Sequence, residues 1–321
     1  MTQRIKFYQT GTLTVGNRLL DEEQRTVQST PERNNSLTSG HRACQGCGEA
    51  LGARYVVDVA MREAGDKLVA VNATGCLEVF STPYPESSWR VPWIHSLFGN
   101  APAVATGVAA ALRAKGREDT RVLAQGGDGG TVDIGFGCLS GMFERNDDVL
   151  YVCYDNEAYM NTGVQRSGRT PPAARTATTP AMGQPKGNVF GQGKNAALIA
   201  MAHFIPYVAT ASVADLHDLE AKVTKAMGMS GARYIHVHVP CPLGWGAKPC
   251  DTIQLARFAV ETGLFPLFEA ENGEITDVTR IRRKMPVEAY LKPQRRFAHL
   301  FGEQGDTHAL AAIQQMADRN I

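Results

Sequence analysis

Val122-Leu-Ala-Gln-Gly-Gly-Asp-Gly-Gly130 runs an apolar segment into a glycine turn, and a helical pattern, Phe136 to Arg145, follows. Strand, tight turn and helix in that order form the unit at whose turn open α/β sheets bind ligands. Four further apolar runs extend the reading: Leu68–Asn72, Val149–Cys153, Ile205–Thr210 and Tyr234–Val239. Helical spacing fills the gaps at Ala50–Ala64, Ala101–Lys115, Asn195–Ala202 and Val213–Met227. Continuous apolar strands alternating with helices predict an α/β fold, a mostly parallel sheet with helices on both faces.

The chain has 321 residues, 43% of them apolar, enough to bury a large core as one or two domains. Thirty-three Lys and Arg against 32 Asp and Glu leave a formal charge of +1, so nucleic acid is not an expected partner. Seven cysteines and an N-terminus, Met1-Thr-Gln-Arg-Ile-Lys6, without a secretory pattern predict a reducing, cytoplasmic setting. The weakly apolar stretch from Ala101 to Leu112 is far shorter than the roughly 20 residues that a membrane crossing needs, so no membrane span is expected.

Three regions are expected: an N-terminal arm, 1–38, for a partner contact; a main domain, 39–250; and a C-terminal extension, 251–321, packed on it. Within the arm Thr10–Thr14 alternates like a short strand and Pro31–Ser36 reads as loop. Residues 165–195, rich in Gly, Pro, Thr and Ala, predict a long functional loop. In the extension Thr252–Thr262 and Thr307–Ala317 are helical patterns, and the basic run Arg280–Met285 reads as a solvated face.

Glycine at 127, 129 and 130 would let main-chain N–H groups approach a phosphate. About 28 residues after Asp128, Asn156 stands at the carboxyl end of the next apolar run. A carboxylate, an amide oxygen, a main-chain carbonyl and two phosphate oxygens nearly complete the octahedron of Mg²⁺. That spacing is the thiamine diphosphate motif.

A second constellation is thiol-based. Cys44-Gln-Gly-Cys47 alone fits zinc, disulfide exchange or iron–sulfur chemistry; Cys76 and Cys241, each isolated at the end of an apolar run, suit a cubane cluster better than a zinc ribbon. Cys138 and Cys153 read as core and Cys250 as a free thiol. His95 fits either hydrogen-bonded packing or a place facing the substrate pocket, Trp89, Trp93 and Trp245 read as packing residues, and His236 with His238 as a poor metal site. Arg166 and Arg169 fit either a solvated loop or attraction of a carboxylate or coenzyme A phosphate.

The stretches Ala43–Glu49, Asn72–Cys76, Ser81–Pro85, Gly126–Gly130, Tyr154–Gly163 and His238–Pro242 together resemble the β subunit of the multi-subunit pyruvate:ferredoxin oxidoreductases, in the thiamine-dependent 2-oxoacid:ferredoxin oxidoreductase family. The likeness runs from about Ser39 to Leu300. It implies the thiamine diphosphate-binding fold, with one [4Fe–4S] cluster on Cys44, Cys47, Cys76 and Cys241, Glu49 and Cys76 by the cofactor, and Gly127, Gly129 and Gly130 cradling its diphosphate. It implies Mg²⁺ on Asp128, Asn156 and the carbonyl of Ala158, and Asn161, a catalytic residue, by the reacting carbon.

The implied reaction is oxidative decarboxylation of a 2-oxoacid, with coenzyme A as acyl acceptor, to acyl-CoA, CO₂ and reduced ferredoxin. Pyruvate is the expected substrate; an aryl glyoxylate, a branched 2-oxoacid or oxalate needs only a reshaped pocket. The implied partners are an α subunit, which supplies the activating glutamate, a γ subunit and a ferredoxin-like δ subunit. No motif for that glutamate and no ferredoxin-like double cysteine run stands in this chain, so it should be inactive alone. Two rival readings are an iron-free thiamine-dependent decarboxylase or carboligase, and a non-catalytic electron-transfer subunit.

Overall fold

The computed structural model describes residues 35–65, 67–83, 86–183, 186–303 and 305–321. Eight strands form one sheet: β1 (Leu68–Ala73), β2 (Trp93–Ser96), β3 (Arg121–Gly127), β4 (Leu150–Asp155), β5 (Tyr207–Ser212), β6 (Arg233–His238), β7 (Phe268–Glu271) and β8 (Glu274–Val278). Their order is β2-β1-β3-β4-β6-β5-β7-β8. The pairings from β2 to β5 are parallel, whereas β7 joins β5 antiparallel and carries β8 as a hairpin. All five apolar runs lie in central strands, and the predicted α/β architecture holds.

β4 shows why its sequence lacks polar alternation. Leu150, Val152 and Tyr154 enter one apolar cluster while Val149, Tyr151 and Cys153 enter another on the opposite face. Both faces are covered, so each position must be apolar. Burying one such side chain stabilises the fold by roughly 1.5–3 kcal/mol. Ten helices complete the fold: α1 (Gly48–Ala64), α2 (Cys76–Ser81), α3 (Ala101–Ala114), α4 (Phe136–Glu144), α5 (Ala196–Met201), α6 (Leu216–Met227), α7 (Pro242–Trp245), α8 (Thr252–Glu261), α9 (Glu288–Leu291) and α10 (Thr307–Asp318). α1 starts at Cys47, whose Sγ accepts the Ala50 N–H, and stops at Gly65, which takes the left-handed conformation at φ 54°.

The sheet continues past residue 250. β7 and β8 come from the extension, and a third apolar cluster, with Trp245, Phe265, Tyr290 and Phe297, packs the rest of the extension against the main body. β8 is exposed along its whole length, with Glu274 and Asp277 on that free edge, charges that discourage further strand pairing. The strand expected at Thr10–Thr14, and the arm as far as residue 34, lie outside the described residues. Its last residues are held: Leu37 bridges to Trp89, and the Ser36 N–H donates to Asp58 Oδ1 at 2.6 Å. Among the described residues no helix is long and apolar enough to cross a membrane.

Candidate active site

Four neighbouring strands, β1, β3, β4 and β6, end on one edge of the sheet, and each hands the chain to a site segment. β1 leads to Thr74-Gly75-Cys76, β3 to Asp128-Gly129-Gly130, β4 to Asn156 and β6 to Pro240-Cys241. The register places Gly127 opposite Tyr154, so Asp128 and Asn156 emerge side by side. This is the crevice at the carboxyl ends of the strands in which open α/β sheets bind ligands.

One cleft there is lined by Glu49, Cys76, Gly127 to Gly130, Asn156, Ala158 and Asn161. A Cβ on Gly127 would meet nothing closer than 4.0 Å, so its backbone is open to a close approach, whereas a Cβ on Gly129 would strike the Tyr159 ring at 2.4 Å. Directly after Asp128 the chain winds into a π-helical turn, Gly129–Ile134, before α4 begins. Free N–H groups at such a start favour an anion.

Asp128 is 1% exposed, and its Oδ2 accepts from the Ser167 hydroxyl. Asn156 is 4% exposed, and its Nδ2 donates to Glu49 Oε2 at 3.0 Å. The second carboxylate oxygen of Asp128, Oδ1, and the amide oxygen of Asn156, Oδ1, are buried and have no hydrogen-bond partner among the described residues. Orphaned buried acceptors cost about 1–3 kcal/mol each, and a cation with oxygen ligands would satisfy both. Burial and the nearby Asp155 carboxylate push Asp128 well above the usual carboxylate range, as expected of an acid lacking its countercharge. Burial raises Glu49 to about 7, against the Asn156 amide and the Leu77 N–H, which favour its ionised form.

A second cavity shares a wall with the first. Cys44, Cys47, Cys76 and Cys241 all line it, and Glu49, Cys76, Asn156 and Asn161 line both. Three of the thiols stand where helices begin: Cys47 caps α1, Cys76 opens α2, and Cys241 caps α7, its Sγ accepting the Gly244 N–H at 3.3 Å. Helix starts favour a thiolate. Burial nevertheless dominates: with Glu49 it pushes Cys47 up to about 12, it takes Cys241 to about 11, and it carries Cys76 further still, with the other three thiols contributing. Thiols so placed ionise only against positive charge. Among the described residues no group of three or more His, Cys, Asp or Glu is arranged to hold a single metal ion.

The remaining sequence-derived residues fall as follows. Cys153 is buried in β4, Cys138 is half-buried in α4, and Cys250 is exposed and unbridged. His95 is exposed, stacks on Trp93, and meets Thr74 Oγ1, a lining atom's neighbour in the first cleft, at 2.7 Å. Arg166 lies over the Phe190 ring, 4.4 Å from its centre. Arg169 is turned inward and not toward solvent: its Nε meets Asp155 Oδ2 at 2.8 Å, and His236 Nε2 meets the same oxygen at 2.8 Å. His238 contacts Tyr290 and Glu157, so both strand histidines serve buried polar networks.

Sequence reasoning missed Ser167, which steers Asp128, and the contacts of Trp245, whose indole N–H donates to the Asn156 carbonyl at 2.8 Å. Neither carries a spacing signal, because each acts across more than 35 residues of chain.

Residues 73–237 match the family described as thiamine pyrophosphate enzyme, C-terminal TPP binding domain. Pyruvate synthase subunit PorB of Methanosarcina barkeri is 52% identical over 286 residues, 89% of this chain and 95% of that protein. Ketoisovalerate oxidoreductase subunit VorB of Pyrococcus abyssi is 43% identical, over 83% of this chain and 86% of that one. Among solved structures, 2-oxoglutarate:ferredoxin oxidoreductase from Magnetococcus marinus, with 2-oxoglutarate, coenzyme A and succinyl-CoA bound, aligns with a TM-score of 0.55 at 29% identity, over 68% of this chain and 69% of that chain. The chain thus belongs to the thiamine pyrophosphate enzymes and, within them, to the β subunits of the 2-oxoacid:ferredoxin oxidoreductases, the family that includes pyruvate synthase subunit PorB.

Proposed function

We propose that this chain is the thiamine-binding and first electron-accepting subunit of a cytoplasmic complex that oxidatively decarboxylates pyruvate with coenzyme A, giving acetyl-CoA, CO₂ and reduced ferredoxin. One observation carries the reading: the glycine and carboxylate cleft and the four-thiol cavity are back to back, with Glu49, Cys76, Asn156 and Asn161 as their common wall. Donor and acceptor placed there would need no path through bulk protein.

Bound thiamine diphosphate supplies a carbon nucleophile that also acts as an electron sink, and a [4Fe–4S] cluster accepts electrons singly. The chain's part is position. Asp128 Oδ1, Asn156 Oδ1 and the Ala158 carbonyl would hold Mg²⁺, while the main chain at Gly127, Gly129 and Gly130 meets the diphosphate. Ser167 and Glu49 each engage the other end of a metal-binding side chain, so both orphan oxygens stay aimed into the cleft. Asn161, on the common wall, would lie by the reacting carbon. Cys44, Cys47, Cys76 and Cys241 would ligate the cluster, whose iron supplies the positive charge that buried thiolates require.

The activating glutamate would come from an α subunit, a γ subunit would join the complex, and a ferredoxin-like δ subunit or further electron-transfer subunit would carry the electrons onward. Pyruvate is favoured by the PorB relative at 52% identity, and the VorB relative, named for ketoisovalerate, at 43% identity, supports a branched 2-oxoacid as the second reading. The test is composition of the complex purified anaerobically from its source. Equimolar thiamine diphosphate with four iron and four sulfide lost on Cys76→Ala supports the reading, and thiamine without chain-bound iron returns it to an iron-free decarboxylase.

A further inference from the structure

We propose that Trp245, held by Arg296 of the C-terminal extension, is a positioning residue that ties the turn at Asn156 to the turn at Cys241. The inference rests on the proposed reading of Asn156 as a metal ligand and Cys241 as a cluster ligand. Trp245 is fully buried. Its indole N–H donates to the Asn156 carbonyl at 2.8 Å, and its main-chain N–H donates to the Cys241 carbonyl at 2.9 Å. One residue is therefore bonded to the backbone at both sites.

The turn between Cys241 and Trp245 has little room to adjust. A Cβ on Gly244 would lie 2.2 Å from Met160 Sδ and 3.3 Å from Cys241 Sγ, so the backbone there is pressed against the site. On the other face of the indole, the Arg296 guanidinium sits 4.1 Å from the ring centre. Its Nη2 pairs with Glu157, and its Nε donates to Gln294 Oε1 at 2.8 Å. Glu157 directly follows Asn156 and takes φ 68°, a left-handed conformation that a side-chain-bearing residue holds only under constraint. The ion pair with Arg296 and the Glu157 N–H bond to Asp155 Oδ1, at 3.0 Å, supply that constraint.

Two consequences follow. Loss of the indole N–H frees the Asn156 carbonyl and loosens the amide aimed at the cation. Displacement of the ring moves the Cys241 turn, and loss of the guanidinium removes a positive charge held 4.1 Å from the centre of the indole that is bonded to that turn. Net charge and hydrogen bonds around the sulfurs set a cluster's potential. Positive charge favours the reduced cluster.

The test uses the whole complex, purified anaerobically, with Trp245→Phe, Arg296→Met and Arg296→Lys. Trp245→Phe should weaken thiamine diphosphate binding in Mg²⁺ by about twofold to tenfold, the worth of one buried hydrogen bond, and should shift the cluster's midpoint potential with iron content unchanged. Arg296→Met should make the potential more negative, by up to about 59 mV for a tenfold change in a one-electron equilibrium, and Arg296→Lys should restore most of it. Wild-type potential and wild-type cofactor binding in Trp245→Phe would overturn the proposal, even if its melting temperature fell, because packing alone would then explain the residue. A wild-type complex without iron and sulfide would refute the cluster reading itself, and the inference with it.

Discussion

Asp128→Asn should make the empty protein more stable and the loaded protein less stable. This carboxyl group is 1% exposed, stands near the Asp155 carboxylate, and has one oxygen without a hydrogen-bond partner among the described residues. The amide removes the like charge, can still accept from Ser167, and turns an N–H toward the cleft where Asn156 Oδ1 also lacks a donor. Relieving one orphaned buried acceptor stabilises by about 1–2 kcal/mol. For a chain of this size that is a rise of roughly 1.5–3 °C in melting temperature.

Ligand reverses the order. Mg²⁺ with thiamine diphosphate at a hundred times its dissociation constant adds about 2.7 kcal/mol to the wild type. The substitution removes the charged oxygen that would hold the cation, so most of that gain should vanish. Thermal melts of the complex at one scan rate, with and without Mg²⁺ and thiamine diphosphate, read both terms. A variant that melts lower when empty, and gains as much as the wild type when loaded, would refute the assignment of Asp128.

Cys76→Ala should remove four iron and four sulfide from the complex while thiamine diphosphate still binds in calorimetry; equal loss of both would mean that the two cavities are not separable sites. Gly129→Ala places a Cβ 2.4 Å from the Tyr159 ring and should cost about 1–3 kcal/mol of stability with weaker diphosphate binding, and a melt and cofactor affinity like the wild type's would show that the turn tolerates a side chain. Glu269 is held below the usual carboxylate range by Lys225 and the Tyr207 hydroxyl, against burial, which raises it. Its folded-state pKa is the lower one, so its contribution is present above the unfolded value and lost as pH falls through the folded value. Glu269→Gln should flatten that acid limb of the stability curve by up to about 1 kcal/mol, since the pair is partly screened, and an unchanged limb would remove this residue from the account.

Much of this architecture was legible because central parallel strands must be apolar on both faces. Val149–Cys153 and Tyr234–Val239 announce themselves for that reason. β2, with four residues, and the hairpin β7–β8, with Glu269, Glu271, Glu274 and Asp277 among its residues, lie at the edges, where one face or both meet water and the apolar signal fades. The candidate site was legible where the chemistry is carried by spacing within one segment, as in Cys44-x-x-Cys47 and Gly126–Gly130. It was not legible where residues meet only through tertiary contact. Ser167 reaches Asp128 from a loop with no periodicity, and Arg169, readable as a solvated cation, spends its charge on buried Asp155. Trp245 looks like packing in any sequence, and only its donor distance to Asn156 distinguishes it.

In the proposed function a thiamine site and an electron-accepting cluster share a wall in this chain. Electron paramagnetic resonance of the anaerobic complex after addition of pyruvate and coenzyme A tests it most directly. The expected result is a reduced-cluster signal that needs all four of Cys44, Cys47, Cys76 and Cys241. A complex that converts pyruvate yet shows no cluster signal in this chain, even after dithionite, would contradict it.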